Sequence, residues 1–380
     1  MDAYPAPSGT FPSRTAEILH GICQWTAPFH EHRVARAALT LLASWSGLGV
    51  RHEMDRHGNI FGYWWNAPHD GPGRRGMAMM AHMDHPGFQV VRWSGERRIE
   101  LEVLGGVPLK LINRDPILVL TPEGPLRGQM DQPIPPTRYD GTAGALLDED
   151  PGRDVTGCPA IFDLPMFYLA GGLVHGLAMD DLAGCAMGLA ALEQIAREKL
   201  PVDAYVVLHR AEEVGMLGAC VSAQECRVPN DTVMICLEAS RTLPGAAVHG
   251  GSVIRTGDKT FMFHPDPESL LVAAAKNLRQ RGAPVQQTRL TGGMCEAALY
   301  QAFGYEATAM AVPLLNYHNA GGERVAPEAV SAHDLANGTE LLVEAARQLP
   351  CFSVKSRMQL RAERRMLLEQ SRARLLKPFP

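Results

Sequence analysis

Residues 182–213 read LAGCAMGLAALEQIAREKLPVDAYVVLHRAEE, and this stretch decides the fold class. Leu182, Ala186, Leu189, Ile195 and Ala196 recur at helical spacing, so Leu182–Lys199 reads as a strong helix. Ala204–Leu208 then forms a short, wholly apolar run, the pattern of a strand buried on both faces. His209-Arg210-Ala211-Glu212-Glu213 comes directly after it, so polar groups collect where the strand ends.

The same alternation continues outward. Upstream, Gly76–Ala81 (GMAMMA) is another buried strand. Downstream come a strand at Thr232–Leu237, helices at Glu268–Arg281 and Cys295–Phe303, a strand at Thr308–Leu315 and a helix at His333–Leu349. Continuous apolar strands alternating with helices predict an α/β fold: a mostly parallel, doubly wound sheet with helices on both faces. At the amino-terminal side, residues 14–28 and 31–46 read as amphipathic helices. Val50–Met54 and Ile60–Trp65 read as strands around the turn Asp55-Arg56-His57-Gly58-Asn59. From residue 91 to 174 the texture changes to short alternating strands with Gly, Pro and Asp, which predicts an inserted small β-rich domain, with 131–158 as a mobile loop. The expected organisation is therefore a discontinuous α/β domain (1–90 and 175–350), an insertion (91–174), and a basic amphipathic helix within 351–380.

Composition narrows the function classes. The 380 residues are 46% hydrophobic and 20% charged, as in ordinary globular proteins. The formal net charge of −5 argues against a broad nucleic-acid surface. No stretch approaches the roughly 20 apolar residues of a membrane span, and Met1–Arg14 lacks a signal-peptide pattern, so a cytoplasmic protein is expected. Eight scattered cysteines without a C-x-x-C pair read as reduced, buried thiols.

The chemistry lies at the strand ends. His82-Met83-Asp84 follows the first buried strand, Glu212-Glu213 the second and Glu238 the third. Asn316-Tyr317-His318 follows the fourth, and Asp180-Asp181 precedes the long helix. In a doubly wound sheet these segments converge on one rim. Two imidazoles and several carboxylates without sulfur suit Zn²⁺ first, with Co²⁺ or Mn²⁺ also accepted. One carboxylate between two ions, and one left free to move a proton, is the donor arrangement of two-metal hydrolases. Asp84, two residues after His82, is placed to hydrogen-bond the imidazole nitrogen that faces away from a metal.

Several segments resemble the glutamyl/deblocking aminopeptidases, the tetrahedral-aminopeptidase family of dinuclear metallopeptidases. Ala81-His82-Met83-Asp84-His85-Pro86-Gly87-Phe88 is similar to their A-H-x-D-x-x-G-F. Val174–Gly184 resembles V-x-G-x-A-x-D-D-R-x-G, and Ala211–Ala219 resembles Q-E-E-V-G-x-x-G-A. Asp55–Asn59 matches a D-x-x-G-N hairpin, and the order is kept over roughly residues 13–350. The resemblance implies two divalent metal ions bridged by Asp180. Glu213 and His318 would complete one, and His82 and Glu238 the other. Glu212 would be general base and acid toward a metal-bridging water, Asp84 would orient His82, and the insertion would cap the site and mediate homo-oligomeric assembly. Four positions depart from the pattern. Leu182 replaces Arg, Glu238 replaces Asp, Gly292–Ala297 replaces a G-T-D-A-like segment, and Asn316-Tyr317-His318-Asn319 replaces R-Y-x-H.

The expected function is a dinuclear aminopeptidase acting on peptide amino termini. An amidohydrolase or deacylase for N-acyl amino acids or small amides is the alternative, motivated by Glu238 and Cys295-Glu296. A non-catalytic binding protein on a peptidase scaffold is a further one.

Overall fold

The computed structural model describes residues 11–65, 76–93, 95–131, 141–352 and 357–376. The chain forms two units, residues 1–350 and 351–380. The first begins with helices α1 (Arg14–Ile22) and α2 (His32–Ser44). Helix α1 ends six residues before the expected limit. A hairpin, β1 (Arg51–Met54) and β2 (Ile60–Trp64), leads into β3 (Met77–His82), whose six residues are all buried.

Six strands then close a barrel: β4 (Gly87–Trp93), β5 (Arg98–Leu104), β6 (Pro116–Thr121), β7 (Gly124–Met130), β8 (Thr142–Leu147) and β9 (Pro159–Phe162). Ile99, Leu101 and Val103 of β5 are buried while Arg98, Glu100 and Glu102 are not, and such alternation gives a small barrel its filled interior. Two sequence expectations change here. Residues 142–147, assigned to a mobile loop, are a barrel strand paired with both β5 and β7. The hairpin β10 (Tyr168–Ala170) and β11 (Leu173–Gly176) pairs with the main sheet, not with the barrel.

The chain continues through α3 (Met179–Glu198), β12 (Ala204–His209), α4 (Leu217–Gln224), β13 (Val233–Arg241), β14 (Val253–Arg255), α5 (Pro265–Gln280), β15 (Gln286–Thr288) and α6 (Glu296–Ala302). It closes with β16 (Ala307–Leu315), β17 (Glu328–Ser331) and α7 (Ala332–Gln348). The main sheet runs β1-β2-β12-β3-β13-β16-β17-β11-β10, with β14 and β15 branching from β16. It is mixed. Only β12, β3, β13 and β16 form a continuous parallel centre, and the flanks pair antiparallel. "Mostly parallel" thus holds for the centre alone, because the short flanking strands carry too little apolar pattern to announce themselves.

Helix α3 packs on β3, β12 and β13 and is itself flanked by α1 and α7. That explains why it is apolar nearly all round. The strand directions set the location of the site. The carboxyl ends of β3, β12, β13 and β16 share one rim because the strands are parallel. Strand β17 is antiparallel to β16, with Leu315 opposite Ala329, so its first residue, Glu328, starts at that rim. Strand β11 is antiparallel to β17, with Gly176 opposite Glu328, so it ends there and delivers Met179-Asp180-Asp181 to the same edge.

The second unit holds α8 (Arg357–Leu375), on which Met366, Leu367, Leu368 and Leu375 are exposed. Among the described residues no helix is long and apolar enough to cross a membrane.

Candidate metal centre

The rim gathers the residues that the sequence placed at strand ends. His82 Nε2 stands 3.5 Å from Asp180 Oδ1 and 3.8 Å from Glu212 Oε2. His318 Nε2 stands 3.1 Å from Glu213 Oε1 and 3.7 Å from Asp180 Oδ2. Potential ligand atoms of His82, Asp180 and Glu238 lie within 4.8 Å of one another, and so do those of Asp180, Glu213 and His318. Asp180 belongs to both triads, one oxygen toward each imidazole.

Its neighbour does a different job. Asp181 Oδ1 accepts a hydrogen bond from the Gly184 N–H at 3.0 Å, three residues on, which satisfies one of the free donors at the start of α3. The two readings of the Asp-Asp pair, ligand and helix cap, are thus divided between two adjacent residues.

Asp84 departs from its expected role in one respect. His82 Nδ1–H donates to the Asp84 main-chain carbonyl at 3.2 Å, while the carboxylate stands 3.6 Å away. That carboxylate accepts the main-chain N–H groups of Glu212 (2.9 Å) and Glu213 (3.0 Å). It therefore fixes the loop that presents both glutamates, because a fully buried carboxylate needs donors and these are the nearest.

Sequence reasoning missed a second brace of the same design. Glu328, fully buried, accepts the N–H of Asp180 at 2.9 Å and of His318 at 2.7 Å. Its signal was an acidic residue opening a buried strand. His85, also buried, links the Asp180 carbonyl (2.8 Å) to Asn319 Oδ1 (2.9 Å). His318 itself has left-handed backbone angles (φ 54°). A non-glycine residue there costs on the order of 1–3 kcal/mol unless its surroundings hold it. The Glu328 hydrogen bond does so from one side, and His318 Nδ1–H donating to the Gly106 carbonyl at 3.1 Å does so from the other. Gly106, between barrel strands β5 and β6, must be glycine, because a Cβ would strike the His318 ring.

His209 goes elsewhere. Its buried ring bonds Glu296 at 2.8 Å and Tyr300 at 3.1 Å, and so serves packing around α6.

The electrostatics are those of an acidic, dehydrated cluster. Burial pulls the His82 imidazole down, but Glu212, Asp180 and Asp84 outweigh it and hold it well above its ordinary value. Burial lowers His318 too, and Glu213 and Asp180 reverse the sign. Burial pushes the carboxyls of Glu212 and Glu238 well up. His82 partly opposes this at Glu212, and Arg255 does so at Glu238. Asp180 Oδ1 and His318 Nε2 are buried without a hydrogen-bond partner. Such groups cost on the order of 1–3 kcal/mol each when left unsatisfied, and a cation satisfies both kinds. The set of nitrogen and oxygen donors, with these orphaned atoms pointing inward, fits divalent metal ions.

Beside the cluster lies a cavity of about 860 Å³. It is lined by Glu212, Glu213 and His318, by Arg241 and Met294, and by residues 105–111 after β5.

Fold and motifs together resemble those of α/β peptidases. Over residues 155–336 the chain matches the model of the M42 glutamyl aminopeptidase family and is similar to that family there. A curated Acetivibrio thermocellus protein with an aminopeptidase name is 27% identical over 186 residues, covering 47% of this chain and 52% of that protein. The match thus spans about half the length of this relative. Among solved structures, a TET aminopeptidase from a marine-sediment thaumarchaeote superposes with TM-score 0.75 at 19% identity, over 89% of this chain and 98% of that one. The Pyrococcus horikoshii TET1 peptidase, described as assembling into a tetrahedron or a large octahedral shell, gives 0.72 at 19%, over 87% and 99%. An aminopeptidase from Desulfurococcus kamchatkensis gives 0.71 at 23%, over 87% and 93%. At these identities the structural likeness speaks to the fold.

Proposed function

We propose that the protein is a dinuclear metal-dependent aminopeptidase. The observation that carries this reading is the pair of triads sharing Asp180: His82, Asp180 and Glu238 on one side, Asp180, Glu213 and His318 on the other. Two divalent ions, Zn²⁺ first and Co²⁺ or Mn²⁺ next, would be held by these five side chains. When bound, they would supply Lewis acidity toward a substrate carbonyl and lower the pKa of water.

The chain's own groups do the rest. Glu212 faces His82 and forms a further donor group with His82 and Glu213, but it stands in neither triad that contains Asp180, and in this reading its carboxylate takes a proton from the attacking water and returns it to the leaving amine. Burial and the neighbouring carboxylates raise its proton affinity, as a group that must both accept and donate near neutral pH requires. Asp84 and Glu328 hold the backbones of four site residues, so the catalytic groups are set before substrate arrives. The substrate is a peptide whose amino-terminal residue enters the 860 Å³ cavity. Assembly into homo-oligomers, as the Pyrococcus horikoshii protein's description states for that protein, belongs to the same proposal.

Glu212→Gln tests the mechanism. Elemental analysis should still find about two ions per chain, while hydrolysis of aminoacyl-p-nitroanilides falls by at least 10²-fold. A fully active variant sinks the role of Glu212. Turnover of N-acyl amino acids alone would replace the aminopeptidase reading with the deacylase one.

A further inference from the structure

We propose a second, thiol-based metal site formed by Cys236, Cys295 and Glu238, which takes a thiophilic divalent ion such as Cd²⁺ and thereby inhibits the peptidase. The coupling part of the proposal rests on the metal-centre reading above, through their shared residue Glu238.

Cys236 lies in β13, and Glu238 stands two residues later, so strand geometry puts both side chains on one face. Cys236 Sγ stands 3.7 Å from Glu238 Oε1. Cys295, immediately before α6, brings its sulfur to the same point, and the three potential ligand atoms lie within 4.8 Å of one another. Both cysteines are buried. Donors around a tetrahedral ion with bonds of about 2.3 Å stand about 3.8 Å apart, so side-chain rotation of up to about 1 Å closes the site.

Room and access are present. A cavity of about 50 Å³ is lined by Glu238, Cys295, Arg255 and Tyr317, which exceeds the volume one water molecule needs. It shares Arg241, Tyr317 and the 292–294 segment with the 860 Å³ cavity, so the two adjoin, and the proposed route for the ion is from that side. The buried Arg255 guanidinium, with its Nε unpartnered, offsets part of the thiolate charge.

The donor chemistry sorts the metals. Two sulfurs favour Zn²⁺ and above all Cd²⁺, whereas the nitrogen and oxygen donors around Asp180 accept harder ions. Binding converts two thiols to thiolates and releases two protons to solvent. Glu238 also belongs to the triad of His82 and Asp180, so an ion at the thiols draws that carboxylate away from the hydrolytic centre.

The test adds Cd²⁺ to the full-length, Zn²⁺-loaded protein. In the wild type one extra equivalent of Cd²⁺ and the ultraviolet cadmium–thiolate charge-transfer band should appear. In Cys236→Ser/Cys295→Ser both should vanish while the hydrolytic-site zinc stays. Cd²⁺ should inhibit the wild type at least tenfold more strongly than the double variant. The near-isosteric single variants, checked by circular dichroism, give the same comparison if the double variant does not fold. No band in the wild type, or an undiminished band in the variants, overturns the site. Equal inhibition of wild type and variants overturns the coupling through Glu238. A wild-type protein that shows the thiolate band but holds no zinc at the hydrolytic centre would keep the thiol site and remove the metal-centre reading.

Discussion

Glu328→Gln probes how the site is held together. The wild-type carboxylate gives one oxygen to the Asp180 N–H at 2.9 Å and the other to the His318 N–H at 2.7 Å. A glutamine in the same place has one oxygen and one NH₂, so one buried backbone N–H must face a donor. That costs on the order of 1–3 kcal/mol for the stranded group. With about 2.1 cal/mol/K of unfolding entropy per residue, a unit of 350 residues shifts its Tm only about 1–2 °C per kcal/mol. Melting is therefore the blunter readout, and metal affinity the sharper. Asp180 belongs to both triads and His318 to one, so displacing either backbone should weaken metal binding about 10–100-fold, the usual range for groups that orient ligands. Competition against a chelator of known affinity measures this, with chemical denaturation of the metal-free protein alongside. Unchanged affinity and unchanged stability would refute the bracing role. They would mean that the carboxyl, which burial and the Asp180 charge push well above its ordinary range, is already protonated and is mimicked by the amide.

Asp84→Asn should act similarly on the other side: the Glu212 or Glu213 N–H loses its acceptor, so kcat should fall and metal affinity should weaken, checked by kinetics and by competition against a chelator. Gly106→Ala forces a Cβ into the His318 ring, so it should lower metal affinity at least tenfold while the barrel still folds, as far-ultraviolet circular dichroism would report. Chelation should lower the melting temperature, and the gap should narrow as pH falls. The sign comes from four groups that shift the same way. Raised carboxyls at Glu212 and Glu238 and raised imidazoles at His82 and His318 give the metal-free fold its full stability below the unfolded values of about 4.3 and 6.5. That stability is lost as pH rises through the higher folded values. A chelated protein that instead grows more stable from pH 5 to pH 8 would contradict the electrostatics.

Local pattern alone set the central α/β layer and named the side chains that meet at its rim. Runs such as MAMMAH and AYVVLH, only six residues long, read as buried strands, and the residues directly after a strand lie at its carboxyl end. His82, Glu212, Glu213, Glu238 and His318 follow such runs and Asp180 precedes the long helix, so all six were candidates without coordinates, and their proposed roles came from the family resemblance. The flanks were not. Strands of three or four residues such as β11, β14 and β17 are too short to show a period, so the mixed character of the sheet appeared only on folding. Residues 142–147 looked like loop because their Gly and Ala content is low in core formers, yet barrel closure between β5 and β7 makes them a strand. The bracing partners were hidden because their contacts cross the fold: Glu328 reaches Asp180, 148 positions away, and Gly106 meets His318, 212 positions away. Tertiary structure alone decided that Asp84 grips backbone N–H groups, that His209 packs against α6, and that Cys236 and Cys295 meet at Glu238. Hydrogen bonds and donor clusters across such separations depend on strand order and direction, which no local pattern encodes.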